Sequence, residues 1–374
     1  MQDEASIKRQ LHRESSFIPP YCPNPKCEHH FGSKGFWQKN GTKKIKRFPY
    51  LSQRFRCKGC SRSFSYSFFF LEYQAHIWGK NEFIFTAHSE GKSVCSTARS
   101  VKHSECMVRS RKKKMSRWGL LKHAKFCENL QVEEPIVYDG LENFSFSQYD
   151  PNNINQALGK DSFFVYDFNF SPLNRKGAMT DGQKKKKRLI EKALGKYPTD
   201  EIRTTTRRIF KRLLEKSNGP LILHSDEHFQ YRRVVEEDLR AENIVHLKTS
   251  SKAVRNYQNP LFAVNYLDLQ IRQESAAFRR ETIAFSKHSI AMQESYFLYT
   301  LYRNYMRPKF FKKQTDPLSR RSPAMRLGLT KKILKFEEFF GHRVLPLHVK
   351  LNEDWKNLYH RIDPLSRRPI KMAA

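Results

Sequence analysis

Two rhythms of apolar positions run along this chain. From residue 71 to 126 proline is absent, glycine is scarce and good helix formers are frequent, so this stretch is expected to be helical. Within it, KSVCSTARSVKHSECMVRSRKKKMSRW has the outline of a helix-turn-helix. A first helix is expected from about Val94 to Arg99 and a turn at Lys102 to Ser104. Ser104 is placed to cap a second helix beginning at Glu105. After Cys127 the texture changes. ENLQVEEP reads as an acidic linker, and PIVYDGLENFSFS and SFFVYDFNF read as strands. Two basic helical stretches follow, Lys184 to Leu194 and Thr199 to Lys216. PLILHSDEHFQY reads as a buried strand ending at Asp226, and NIVHLKT as another. Asn265 to Arg280 returns to a helical pattern, and Ser289 to Tyr305 is an amphipathic aromatic helix whose rings suit a core. The order strand–strand–strand–helix–strand–helix–strand–helix is an α/β layout with a mixed sheet.

Charge narrows the class of partner. The 374 residues carry 70 Lys+Arg against 37 Asp+Glu, a formal net charge of +33. With 39% hydrophobic and 13% aromatic residues there is material for a packed core. The excess of cations therefore points outward, to a polyanion. The longest strongly apolar patch, Phe68 to Leu71, is far short of the ~18–20 residues of a membrane span. The opening MQDEASIKRQ is charged and has no signal-peptide core. The expectation is a cytoplasmic chain facing nucleic acid, with no membrane role. No Walker loop or dinucleotide fingerprint is present, which argues against a nucleotide-driven motor.

Seven cysteines, an odd number, argue against a disulfide framework. Four fall into two short-spaced pairs, Cys22 with Cys27 in CPNPKC and Cys57 with Cys60 in CKGC. Two such turns can offer four thiolates to a tetrahedral structural Zn2+, the pattern of a zinc ribbon. His29 or His30 could replace one thiolate. Cys95, Cys106 and Cys127 have no partner spacing and are expected to be small buried residues. The same window interleaves cations (Lys43, Lys44, Lys46, Arg47, Arg54, Arg56, Lys58) with Phe36, Trp37, Phe48 and Tyr50, which suits phosphate contact and stacking. The second helix of the helix-turn-helix carries Arg109, Arg111, Lys112, Lys113, Lys114 and Arg117, the candidate nucleic-acid-binding surface.

Two acids stand out by position. Asp139 follows Ile136-Val137-Tyr138, and Asp226 ends the run Leu221-Ile222-Leu223-His224-Ser225. A carboxylate at the end of a buried strand is costly unless used. Two on neighbouring strands could share divalent cations, and Mg2+ favours carboxylate oxygens while keeping water positions open for phosphate.

These segments, taken in order, resemble the DDE-type transposases of small bacterial insertion sequences, which join an N-terminal zinc ribbon to an RNase H-like catalytic core. QRFRCKGCSRSFS resembles the second knuckle of the ribbon. VYDGLENFSF resembles the strand of the first catalytic Asp, with Glu142 in a D-x-x-E form. LILHSDEHFQY resembles the strand of the second. NYLDLQIRQESAAFRRETIAFSK resembles the final catalytic helix, with an RxTxxFS ending at Arg280 to Ser286, and SPAMRLGLT resembles the segment after the core. The resemblance spans most of residues 20–335. It departs at the third acid: the usual Glu position falls near Asn265, and Asp268 lies one helical turn on. Glu274 and Glu281 are rivals.

The resemblance implies Asp139, Asp226 and Asp268 as catalytic residues, with Glu142, Asn265 and Glu274 near a Mg2+ or Mn2+ centre. It implies strand cleavage and strand transfer on double-stranded DNA, both element ends and target, by a nucleoid-associated homo-oligomer. The expected divisions are a zinc ribbon over 15–68, a helical helix-turn-helix region over 69–127, the catalytic core over 128–310 and a basic C-terminal tail over 311–374. Two other readings compete. One is a catalytically inactive DNA-binding regulator of the element, and the other a zinc-ribbon nuclease without strand transfer. A short repeat, Asp316 to Arg321 and Asp363 to Arg368, is too brief for a solenoid.

Overall fold

The computed structural model describes residues 14, 16–45, 50–279, 282–312 and 318–363. Two sheets organise them. The smaller is antiparallel, with β1 (Trp37–Lys44), β2 (Leu51–Cys57) and β3 (Ser63–Ser65) side by side. Aromatic residues supply its core. Phe36, Phe55, Phe64, Tyr66 and Phe69 are buried with Cys22, Cys27 and Cys57. Lys46, Arg47 and Phe48 lie outside the described residues.

Three helices follow: α1 (Asn81–Ser89), α2 (Val94–Val101) and α3 (Glu105–Phe126). The Ser93 and Ser104 hydroxyls accept the Ser96 and Met107 N–H groups, capping α2 and α3. Between them Lys102 takes φ +57°, the left-handed conformation that ends α2.

The larger sheet is mixed. Its strands are β4 (Ile136–Phe144), β5 (Pro151–Gly159), β6 (Val165–Pro172), β7 (Leu221–Asp226) and β8 (Ile244–Thr249), in the order β6-β5-β4-β7-β8. β4, β5 and β6 run antiparallel, while β4, β7 and β8 run parallel. This is the expected α/β class. The strand without an apolar signature is β5, PNNINQALG. Asn152, Asn153, Asn155 and Gln156 are buried in it. Their cost is offset locally: Asn155 donates to Asn169, Ser171 and Thr205 side chains at 2.8, 2.7 and 3.0 Å.

Between β6 and β7 lie α4 (Asp181–Leu194) and α5 (Glu201–Leu214). On one sheet face, α5 brings Thr206 within 2.8 Å of the Tyr138 hydroxyl and sets Phe210 edge-on to its ring. A short α6 (Phe229–Arg233) separates β7 from β8. α7 (Phe262–Glu274) lies over β4 and β5, and α8 (Ser289–Leu301) packs on α3. Gly119 of α3 permits that approach, because a Cβ there would meet Leu301 Cδ1 at 2.4 Å. Phe168 of β6 packs on Tyr296 and Phe297 from the sheet side. α8 is thus covered on both sides, and Met292 through Leu301 are all buried, where the sequence pattern suggested a single apolar face.

Residues 318–363 differ from the expected tail. They form α9 (Pro323–Arg326), α10 (Phe336–Phe339) and α11 (Glu353–His360), and bury Ala324, Phe339, Trp355 and Leu358 in the core shared by the helices and the large sheet. That core also crosses the boundary expected at residue 127. Leu345 joins the small sheet's core, and Arg343 lies over the Phe68 and Trp118 rings. Cys127 is buried, but Cys95 and Cys106 are exposed, because their positions on α2 and α3 face away from the packed side. The basic repeat falls mostly outside the described residues.

Candidate functional site

The two cysteine turns close on one another. Cys22 and Cys60 sulfurs are 3.6 Å apart, Cys27 and Cys57 are 3.7 Å apart, and all four lie within 4.8 Å of one another. A tetrahedral ion with Zn–S bonds of about 2.3 Å needs sulfurs about 3.8 Å apart, so the four residues fit a structural Zn2+. Backbone turns set them there. Cys27 N–H reaches Asn24 O at 3.1 Å, and Ser61 N–H reaches Cys57 O at 3.0 Å. Gly59 is required where the turns touch, since a Cβ would meet the His29 ring at 2.9 Å. Neither histidine joins the cluster. His30 Nδ1 faces Cys22 O at 2.9 Å and His29 Nδ1 faces Ser33 Oγ at 2.7 Å.

The acids are brought together by strand register. Ile136 pairs with Leu223 and Val137 with His224 across β4 and β7. Continued along both strands, that register sets Asp139 level with Asp226, on the same face. On its other side Asp139 pairs with Gln156 of β5. Gln156 Nε2 donates to Asp268 Oδ1 at 2.5 Å, and Gln156 Oε1 accepts from the buried Tyr296 hydroxyl at 2.7 Å. A second helical element, α7, thereby holds its carboxylate over the same sheet face. Asp226 Oδ1 accepts the His228 N–H at 3.0 Å, and Asp139 Oδ1 accepts the Gly140 N–H at 2.7 Å.

Electrostatics register this crowding. Burial, then the Asp268 and Asp226 charges, push the Asp139 carboxyl up to about 7 against the pull of Gly140 and Arg255. Burial pushes Asp268 up to about 6, opposed by the Gln156 hydrogen bond, Arg272 and Arg255. The three carboxylates remain more loosely spaced than the cysteines. Among the described residues only the cysteine cluster brings three or more ligand atoms within 4.8 Å of one another.

The other candidate acids are placed elsewhere. Strand alternation sends Glu142 to the opposite face from Asp139, and its carbonyl accepts from Arg272 Nη2 at 3.0 Å. Asn265 is half-buried one turn before Asp268. Glu274, at the end of α7, accepts from the Tyr299 hydroxyl at 2.7 Å and pairs with Arg307. Glu281 and Arg280 lie outside the described residues. Gln156 and Tyr296, which fix Asp268, carry no signal in the sequence that separates them from ordinary core and turn residues.

The cations expected to read DNA divide in two. Arg109, Lys113 and Arg117 are exposed, Arg109 paired with Glu105 at 2.5 Å and Arg117 lying 4.6 Å over the Tyr359 ring. Arg111 is buried and donates to Ile77 O. Lys112 donates to Ser295 Oγ at 3.2 Å, and Lys114 reaches Tyr73 O and sits over the Trp118 ring. Burial lowers both ammonium groups to about 8. These three therefore serve packing, which corrects the expectation of six outward cations: α3 lies against α1, α2 and α8, and half its surface is covered. On α5, Arg203 pairs with Asp238, and Arg212 with Asp167 and Asp354. By contrast α4 buries none of its residues and keeps Lys184, Lys185, Lys186 and Arg188 exposed.

No protein-family model and no curated protein matches this chain. Among the described residues no helix is long and apolar enough to cross a membrane.

Proposed function

We propose that the chain is a DNA transposase, with the small sheet as a zinc ribbon and the mixed sheet as an RNase H-like core. The observation that carries this reading is the convergence of Asp139, Asp226 and Asp268, from two adjacent parallel strands and an overlying helix, on one face of the sheet. The order of the motifs along the sequence supports it. So does the sheet order, three antiparallel strands continued by two parallel ones.

The raised Asp139 carboxyl fits a divalent cation, whose charge would relieve the repulsion among the three acids. Asp139, Asp226 and Asp268 would hold Mg2+ or Mn2+, and the ion, when bound, supplies Lewis-acid activation for phosphodiester chemistry. Gln156 orients Asp268, and the His228 N–H orients Asp226. Arg255 and Arg272 bring positive charge to the acids and suit a phosphate beside them. The reaction is hydrolysis, in which water attacks phosphorus and a 3′ oxygen leaves. Transesterification follows, with the freed 3′-hydroxyl attacking a target strand. Double-stranded DNA is the partner, and joining two ends calls for a homo-oligomer.

A second reading is a DNA-binding regulator without catalysis. It is favoured by Asn265 at the usual acid position and by the hydrogen bond that already engages Asp268. A nuclease lacking strand transfer is the third, separable by its products.

The test uses purified full-length protein, Mg2+ or Mn2+, and DNA carrying the terminal repeats that flank its gene. Wild-type protein should cut this DNA and Asp139→Asn should not. An Asp139→Asn protein that still cuts and joins would overturn the assignment. Salt-sensitive binding with no metal-dependent products would favour the regulator.

A further inference from the structure

The connection from β8 to α7, residues 250–261, leaves the sheet level with one candidate acid and arrives at another. Thr249 pairs with Asp226 across β8 and β7, and Asp268 lies on the second turn of α7. The connection is tied by its own polar side chains. Asn259, 9% exposed, donates to Val254 O at 2.8 Å and accepts the Leu261 N–H at 2.8 Å. Asn256 accepts the Gln258 N–H at 3.1 Å through its side chain and the Asn259 N–H at 3.1 Å through its carbonyl. Such Asx turns fix a loop without a hydrophobic anchor.

What this rigid loop presents is unusual. Tyr257 is 76% exposed, and Arg255 stands exposed two residues before it. The Arg255 charge favours ionisation of both Asp139 and Asp268, so the guanidinium faces the carboxylates. A single exposed aromatic needs no explanation on an ordinary surface. Here a ring and a guanidinium project from a clamped loop joining two elements of the acidic site, on a chain of net charge +33. A ring offers a stacking face to a base, and a guanidinium offers paired donors to a phosphate.

We propose that residues 250–261 form a binding site for unpaired DNA, with Tyr257 stacking on an unpaired base and Arg255 holding the adjoining phosphate beside Asp139 and Asp268. A base inside a duplex has no free face for the ring, so the ligand is single-stranded DNA or a frayed end. The inference rests on the proposed DNA chemistry for its biological setting, yet its test needs neither metal nor turnover.

Full-length protein in EDTA is titrated into single-stranded oligonucleotides with 2-aminopurine placed at successive positions, and into a blunt duplex of the same length. Wild type and Tyr257→Phe should quench 2-aminopurine at one position by stacking. Tyr257→Ala should abolish that quench and weaken single-strand binding about 5-fold or more, while leaving duplex binding unchanged. Arg255→Gln should weaken single-strand binding and lower its salt dependence. Equal quenching by wild type and Tyr257→Ala, or an equal loss on duplex, overturns the site. Loss confined to single strands in a protein that never cuts DNA would retain the site and reject the transposase reading. Cutting that depends on Asp139, with Tyr257→Ala quenching as wild type does, would do the reverse.

Discussion

Replacing Asp139 by Asn should make the protein more stable at pH 8 while removing its proposed activity. The Asp139 carboxyl stands at about 7 rather than its ordinary 3.8. A shift of this size is worth about 1.4 kcal/mol per unit, an upper bound of about 4 kcal/mol. The side chain is half-buried, and solvent screening reduces this to about 2–3 kcal/mol. The sign follows from proton linkage. A carboxyl whose folded pKa is raised binds more protons folded than unfolded between the two values. Wild-type stability therefore falls as pH rises from about 4 to 7, and the penalty is complete above 7. Asn carries no charge and can still accept the Gly140 N–H. Thermal melts at pH 4, 6 and 8 should therefore show the two proteins converging at pH 4. At pH 8 the variant should melt higher by about 3–6 °C. Millimolar Mg2+ should raise the wild-type Tm more than that of the variant, since only the intact acid set binds the ion fully. Parallel melting curves at all three pH values, or a less stable variant at pH 8, would refute the electrostatic reasoning.

Three further perturbations probe other parts of the structure. Metal analysis of the full chain should find one zinc per molecule. Cys57→Ser should lose it and expose the small sheet to proteolysis, whereas Cys106→Ser, at an exposed position, should leave both unchanged. Gly119→Ala should destabilise the fold by about 1–3 kcal/mol despite alanine's better helix propensity, because its Cβ would meet Leu301 at 2.4 Å; denaturant unfolding measures this. Asp354→Ala should cost about 3–5 kcal/mol in the same assay, because Arg212 and Arg208 lose a partner at 2.8 and 3.2 Å beside the buried Asp167.

Much of the chain's organisation is legible without coordinates, for identifiable reasons. Two short cysteine spacings require two turns, and turns of that kind converge when strands join them. Ser104 caps α3 where its hydroxyl precedes a run of helix formers. Apolar runs ending in Asp139 and Asp226 mark β4 and β7, whose parallel pairing then sets the acids side by side.

What is hidden depends on contacts across the chain. β5 reads as a turn-rich segment because its asparagines are polar, and only β6 and α5, with Asn169, Ser171 and Thr205, make their burial affordable. Arg111, Lys112 and Lys114 look like a cationic face until Ile77, Ser295 and Tyr73 are found to receive them. The C-terminal residues look basic and loose, yet Phe339 and Trp355 complete the core. Gln156 gains its importance only through the strand pairing that puts it between Asp139 and Asp268.

The most direct test of the carboxylate site is a strand-transfer assay on DNA ends pre-cut to expose the 3′-hydroxyl, with Mg2+ or Mn2+, comparing wild type with Asp226→Ala and Asp268→Ala. The account predicts joined products from wild type that require the metal and vanish in both variants, with DNA binding retained. Joined products of undiminished yield from Asp226→Ala would contradict it.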